Sequence, residues 1–192
     1  PDYSSAASDV YKRQLYYYAI CITFYIMKII LIGMMGAGKS SIGKNLAEKI
    51  SARFIDVDEY IQHKYNSTIS QIFENEGEDF FRQIEAKTFS EIINSENVII
   101  STGGGTPLNN NCHHIFTENE VIFLDAFPDI LFERATRRKN DRPLMKTLDY
   151  KKFEQLYIDR RKIYSSFSNL TVDTSNIEIR DVVKKIMVHY EL

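Results

Sequence analysis

Residues 33–40 read GMMGAGKS, set between the apolar run IILI and the segment SIGKNLAEKI. This GxxxxGKS spacing constrains the chain more than any other stretch, because its glycines let the backbone turn tightly and aim successive N–H groups at one anion. Such a loop takes phosphates. Lys39 can reach the outer phosphates, Ser40 can hold Mg²⁺ through its hydroxyl, and the following helix directs its positive end at the same charge. The flanks agree, since KIILI supplies a strand before the loop and Ile42, Leu46 and Ile50 recur on one helix face after it. A glycine-rich turn without a ligand would leave Lys39 and Ser40 unexplained.

A chain of 192 residues with 44% hydrophobic content suits one globular domain with an ample core. Its net charge of -2, with both signs mixed, argues against a nucleic-acid partner and for small substrates. Cys21 and Cys112 form neither a CxxC pair nor a zinc spacing, so no disulfide framework or metal site is signalled and a reducing cytoplasm is expected. Residues 1–26 stand apart. Their polar start and short apolar run LYYYAICITFYI fall below the roughly 20 residues of a bilayer span, so no membrane partner is expected. They read as an extraneous or disordered leader before a domain over 27–192, expected to act as a monomer.

From Met27 onward, short β-branched runs alternate with amphipathic segments, which predicts a parallel sheet with helices on both faces. Strands are expected near 28–32, 53–57, 97–101, 120–124 and 169–173. Helices are expected near 39–51, 58–65, 69–76, 78–94, 109–116, 128–138, 149–166 and 178–190. Thr68 with Gln71 makes a capping box, Gly77 separates two helices, and Pro128 suits a first helical turn.

In such sheets ligands collect at the carboxyl ends of the strands. The second strand ends in FIDVDEYI, where alternation about Val57 would turn Asp56 and Asp58 to one side. Beside a phosphate loop, one acid can organise Mg²⁺ through its water shell and the other can accept or orient a substrate hydroxyl. The third strand ends in STGGGTP. Three consecutive glycines weaken any regular element, so their use implies close approach of the backbone to substrate.

Two arginines fall on apolar helix faces. Arg82 shares its face with Ala86, Phe89 and Ile93, with Glu85 one turn away to steady it. Arg160 shares a stripe with Phe153, Leu156, Ile163 and Phe167. An unpaired buried guanidinium is costly, so Arg160 either forms an internal salt bridge or clamps a substrate carboxylate with its planar fork. The run RATRRKNDRPLM gathers Arg134, Arg137, Arg138, Lys139 and Arg142; a basic loop of this kind can close over a nucleotide and exclude water. Arg142 is the candidate for the transferred phosphate, and one of Arg134, Arg137 or Arg138 for stacking on adenine.

Taken in order, GMMGAGKS, DVD, FFRxxE, STGGG, RPLM and the RxxxY of Arg160 to Tyr164 resemble the shikimate kinase family. The likeness runs from Met27 to the C-terminus. It implies a three-layer α/β P-loop fold like that of nucleoside-monophosphate kinases, with a five-stranded parallel sheet and a mobile lid. It also implies transfer of the γ-phosphate of ATP to the 3-hydroxyl of shikimate with one Mg²⁺. By the resemblance, ATP falls to Gly36, Ala37, Gly38, Lys39, Ser40, Ser41 and Arg142, and shikimate to Asp58, Arg82, Gly104, Gly105 and Arg160. Ser40 and Asp56 would hold the metal, and Lys39, Asp58 and Arg142 would carry the catalysis. Lys162 departs from the proline that many members carry there. Two other readings share the loop: a kinase for another small molecule such as gluconate, and a switch that binds ATP without transferring phosphate.

Overall fold

The computed structural model describes residues 27–137 and 148–192. Residues 1–26, with Cys21, and the segment that carries Arg138, Lys139 and Arg142 lie outside the described residues. One parallel sheet holds β1 (Lys28–Ile32), β2 (Arg53–Asp56), β3 (Val98–Ser101), β4 (Glu120–Asp125) and β5 (Leu170–Asp173) in the order β2-β3-β1-β4-β5. The helices are α1 (Lys39–Lys49), α2 (Val57–Tyr65), α3 (Ile69–Ile92), α4 (His113–Thr117), α5 (Pro128–Thr136), α6 (Tyr150–Phe167) and α7 (Ile179–His189).

The central strand explains its own composition. Ile29, Ile30, Leu31 and Ile32 of β1 are wholly buried, because a strand between two neighbours and beneath helices on both faces has no solvent side. Leu31 and Phe54 point at Gly43 of α1, which packs against α7 on that face of the sheet. On the other face Phe123 of β4 meets Tyr164 of α6, and Phe116 of α4 joins Phe89 of α3 to Phe167 of α6. The chain leaves β1 toward one edge and later returns to its other side. Between β3 and β1 it therefore opens the crevice in which α/β sheets hold ligands.

Local signals located most boundaries. The Thr68 capping box is present at the start of α3, and Pro128 opens α5. Gly77 interrupts α3 with φ 83 and ψ 173, so the two expected helices meet at a kink. Two expectations need correction. The helix expected over 109–116 is instead a pair of 3₁₀ turns, Thr106–Leu108 and Asn110–Cys112, followed by the short α4. The second strand stops at Asp56, and Asp58 lies in the first turn of α2. The cause is Asp56 itself, whose carboxylate caps the helix by accepting the amides of Asp58 and Glu59.

Candidate active site

The phosphate loop leaves β1 and enters α1. Gly36 sits at φ 89, and a Cβ there would lie 2.3 Å from the carbonyl oxygen of Leu131, so both its backbone and its surroundings require glycine. Lys39 Nζ donates to the carbonyls of Gly33 and Met34 at 2.8 and 3.1 Å, which holds the ammonium against the loop. Ser40 donates its hydroxyl to Asp56 Oδ2 at 2.8 Å. A hydroxyl and a carboxylate at a phosphate loop form the oxygen donor set that a hard cation such as Mg²⁺ takes, with phosphate and water supplying the other ligands.

The glycine triplet after β3 explains how the second half of the site is built. A Cβ on Gly103 would lie 2.7 Å from Asp58 Oδ1, and one on Gly105 would lie 2.7 Å from an Arg82 nitrogen. Over Gly104 sits Arg160, which donates to its carbonyl at 3.2 Å. Three successive glycines thus receive Asp58, Arg160 and Arg82 in turn. The backbone is open here because three side chains lie on it, forming a polar floor around which substrate must fit.

The two arginines are held differently. Arg82 pairs with Glu85 at 2.9 Å and with Glu78 at 3.1 Å. Burial works against its charge, yet these carboxylates outweigh burial and hold its guanidinium above the ordinary value. Glu85 is wholly enclosed, and it also accepts from Thr106 Oγ1 at 2.8 Å and from Asn109 Nδ2 at 3.2 Å. Arg160 is 9% exposed, has no carboxylate partner among the described residues, and leaves Nε without a hydrogen bond. The internal salt bridge is therefore not formed among the described residues. A buried cation with a spare donor beside a cleft is arranged to receive an anion.

Both halves face one cleft of about 1150 Å³, lined among others by Gly36 to Ser41, Asp56, Asp58, Arg82, Gly103 to Gly105 and Arg160. Ile177, Ile179 and Val182 also line it with apolar side chains. Arg134 donates to the carbonyls of Thr174 and Ser175, both at 2.9 Å, while the exposed Arg137 pairs with Glu133. Thr174 in turn donates to Asp125 O at 3.0 Å and reaches Ala37 O at 3.4 Å, which ties the β5 exit to the phosphate loop.

A family model described as shikimate kinase matches residues 35–191. The chain belongs to the shikimate kinase family. It is 36% identical over 160 residues to the shikimate kinase of Sulfurihydrogenibium sp. (strain YO3AOP1), across 83% of this chain and 95% of that one. The solved shikimate kinase from Acinetobacter baumannii in complex with shikimate superposes with a TM-score of 0.81 at 30% identity, over 88% of this chain and 96% of its own. Deoxyadenosine kinase from M. mycoides, at 18% identity and TM-score 0.58, shares the fold alone. The shikimate kinase family is one of ATP-dependent phosphotransferases, and this chain is an enzyme of that class.

Sequence reasoning overlooked the residues that support the site. Thr106 and Asn109 brace Glu85, and Thr174 joins the sheet edge to the phosphate loop. One signal was available for the shape of the DVD segment: Glu59 stands three residues after Asp56, the spacing of a helix start.

Proposed function

We propose that this chain transfers the γ-phosphate of ATP to the 3-hydroxyl of shikimate, yielding shikimate 3-phosphate and ADP on the route to chorismate and the aromatic amino acids. The observation that carries this reading is the seating of Asp58, Arg160 and Arg82 on three successive glycines opposite the phosphate loop. Two cations and one carboxylate around one small volume suit a ligand with a carboxylate at one end and an alcohol at the other.

Lys39 and the amides from Gly36 to Ser41 bind the phosphates of ATP. Arg82 and Arg160 hold the shikimate carboxylate, which directs the 3-hydroxyl at the γ-phosphorus. Asp58 orients that hydroxyl and accepts its proton as the new O–P bond forms and the bond to the departing ADP oxygen breaks. Gly104 and Gly105 contact shikimate. Ser40 and Asp56 would hold one Mg²⁺, which when bound supplies charge neutralisation across the β- and γ-phosphates. Arg142, outside the described residues, is assigned to the transferred phosphate on its position in RPLM.

A monomer is the working unit in this reading. No helix among the described residues is long and apolar enough to cross a membrane. ATP as co-substrate accords with a cytoplasmic site of action.

The test is a coupled ADP assay with ATP and Mg²⁺ over a panel of hydroxylated acids. ADP should appear only when shikimate is added. Release with gluconate but not shikimate would overturn the assignment, and nucleotide binding with no transfer to any acid would favour a switch.

A further inference from the structure

Ser101 ends β3 with a hydroxyl that the scheme above does not use. Its Cα partners are Leu31 of β1 and Asp56 of β2. Residues paired across a parallel ladder project from the same face, and side chains two apart along a strand do so too. Leu31 and Phe54 both point at Gly43 of α1, and Asp56 reaches Ser40 of that helix. Ser101 therefore projects beside Asp56 toward the start of α1.

Ser101 is 1% exposed, and its buried Oγ has no hydrogen-bond partner among the described residues. The residue lines the cleft. Its neighbour is satisfied, because Thr102 donates its hydroxyl to Leu31 O at 3.2 Å. Thr88 also keeps an unpaired Oγ1 but does not line the cleft. An orphaned hydroxyl is unfavourable unless something in the working state pairs with it.

We propose that Ser101 is a positioning residue for the metal-nucleotide complex, its hydroxyl joining Ser40 and Asp56 to hold the hydrated divalent cation that accompanies ATP. This inference rests on the phosphoryl-transfer reading. Mg²⁺ loses its waters reluctantly, and each retained water needs acceptors. Asp56 has limited capacity, since Oδ1 already accepts two amides and Oδ2 accepts Ser40. A serine hydroxyl beside it can accept from a bound water and donate to a neighbouring oxygen, which a carboxylate cannot do.

The experiment compares ADP binding in EDTA with ADP binding in Mn²⁺, using calorimetry and the electron paramagnetic resonance signal of free Mn²⁺. Ser101→Ala should weaken the Mn²⁺·ADP complex about tenfold and leave metal-free ADP within about twofold. Ser101→Thr should restore metal-dependent binding. The thermal midpoint of ligand-free Ser101→Ala should not fall, because it loses no hydrogen bond. Equal weakening with and without metal, or no weakening, overturns the inference. Should the alanine variant fold poorly, Ser101→Cys keeps the volume and is read in the same way. Wild-type protein that binds Mn²⁺·ADP but leaves shikimate untouched would defeat the functional reading and not this one.

Discussion

The hydroxyl of Tyr164 donates to the carbonyl of Gly104 across 2.6 Å, one helical turn after Arg160, whose guanidinium donates to the same oxygen. The two side chains pin the middle glycine of the triplet from α6. Burial pushes the Tyr164 phenol up to about 12, with Arg160 pulling the other way, so the hydroxyl remains a donor at neutral pH.

Tyr164→Phe keeps the ring against Phe123 and removes this bond together with the weaker contact of the hydroxyl with Met34 Sδ at 3.6 Å. We expect a loss of about 1 kcal/mol in stability, with shikimate binding weakened roughly fivefold. ATP binding should be unchanged. Denaturant titration and separate Kd values for the two ligands check this.

Glu85 anchors Arg82 from a fully enclosed position. Glu85→Gln leaves the guanidinium without its main counter-charge, and breaking a buried pair costs about 3 kcal/mol. The urea midpoint should fall at unchanged slope, as expected for lost stability without altered compactness. Thr106→Val should lower the urea midpoint in the same direction by a smaller amount, since it removes one of the bonds that orient the carboxylate.

Gly77 has open space around it, so a methyl group there meets nothing. Its φ of 83 and ψ of 173 form a conformation that L side chains avoid. Gly77→Ala should therefore cost about 1–3 kcal/mol through strain alone. If it instead straightens α3, the preceding turns move, and Ser70 and Phe73 line the cleft. The thermal midpoint and the shikimate KM together separate the two outcomes.

The Asp173 carboxyl is lowered, first by the Ser175 hydroxyl and then by the Ser175 amide, which donates at 2.8 Å. A folded-state value below the unfolded one contributes stability above the unfolded value of about 4, and this is lost as pH falls through the depressed folded value. Asp173→Asn should thus lie below wild type in urea midpoint at pH 7. The gap should close as the pH falls below about 4. A gap that stays constant down to acid pH would contradict the linkage.

Much of the molecule is written locally. The β-branched run at 28–32, the glycines of 33–38, the Thr68 box and Pro128 each act within a few residues, so their conformations were legible from the chain alone. The DVD segment shows where that reading stops: alternation predicted a strand, but a carboxylate that caps a helix outweighs a two-residue period. Asp58 lining the cleft was foreseen, and its route there was not.

What the amino-acid order determined was the strand, loop and helix around GMMGAGKS, and the need for two arginines on apolar helix faces to find partners. It could not determine that Arg160 would keep a donor to spare, or that Asp58, Arg160 and Arg82 would lie on Gly103, Gly104 and Gly105 in that order. Those pairings join residues tens of positions apart. They exist only once α6 packs on β4 and α3 on the turns after the triplet, because hydrogen bonds and burial depend on distances that only the closed fold sets.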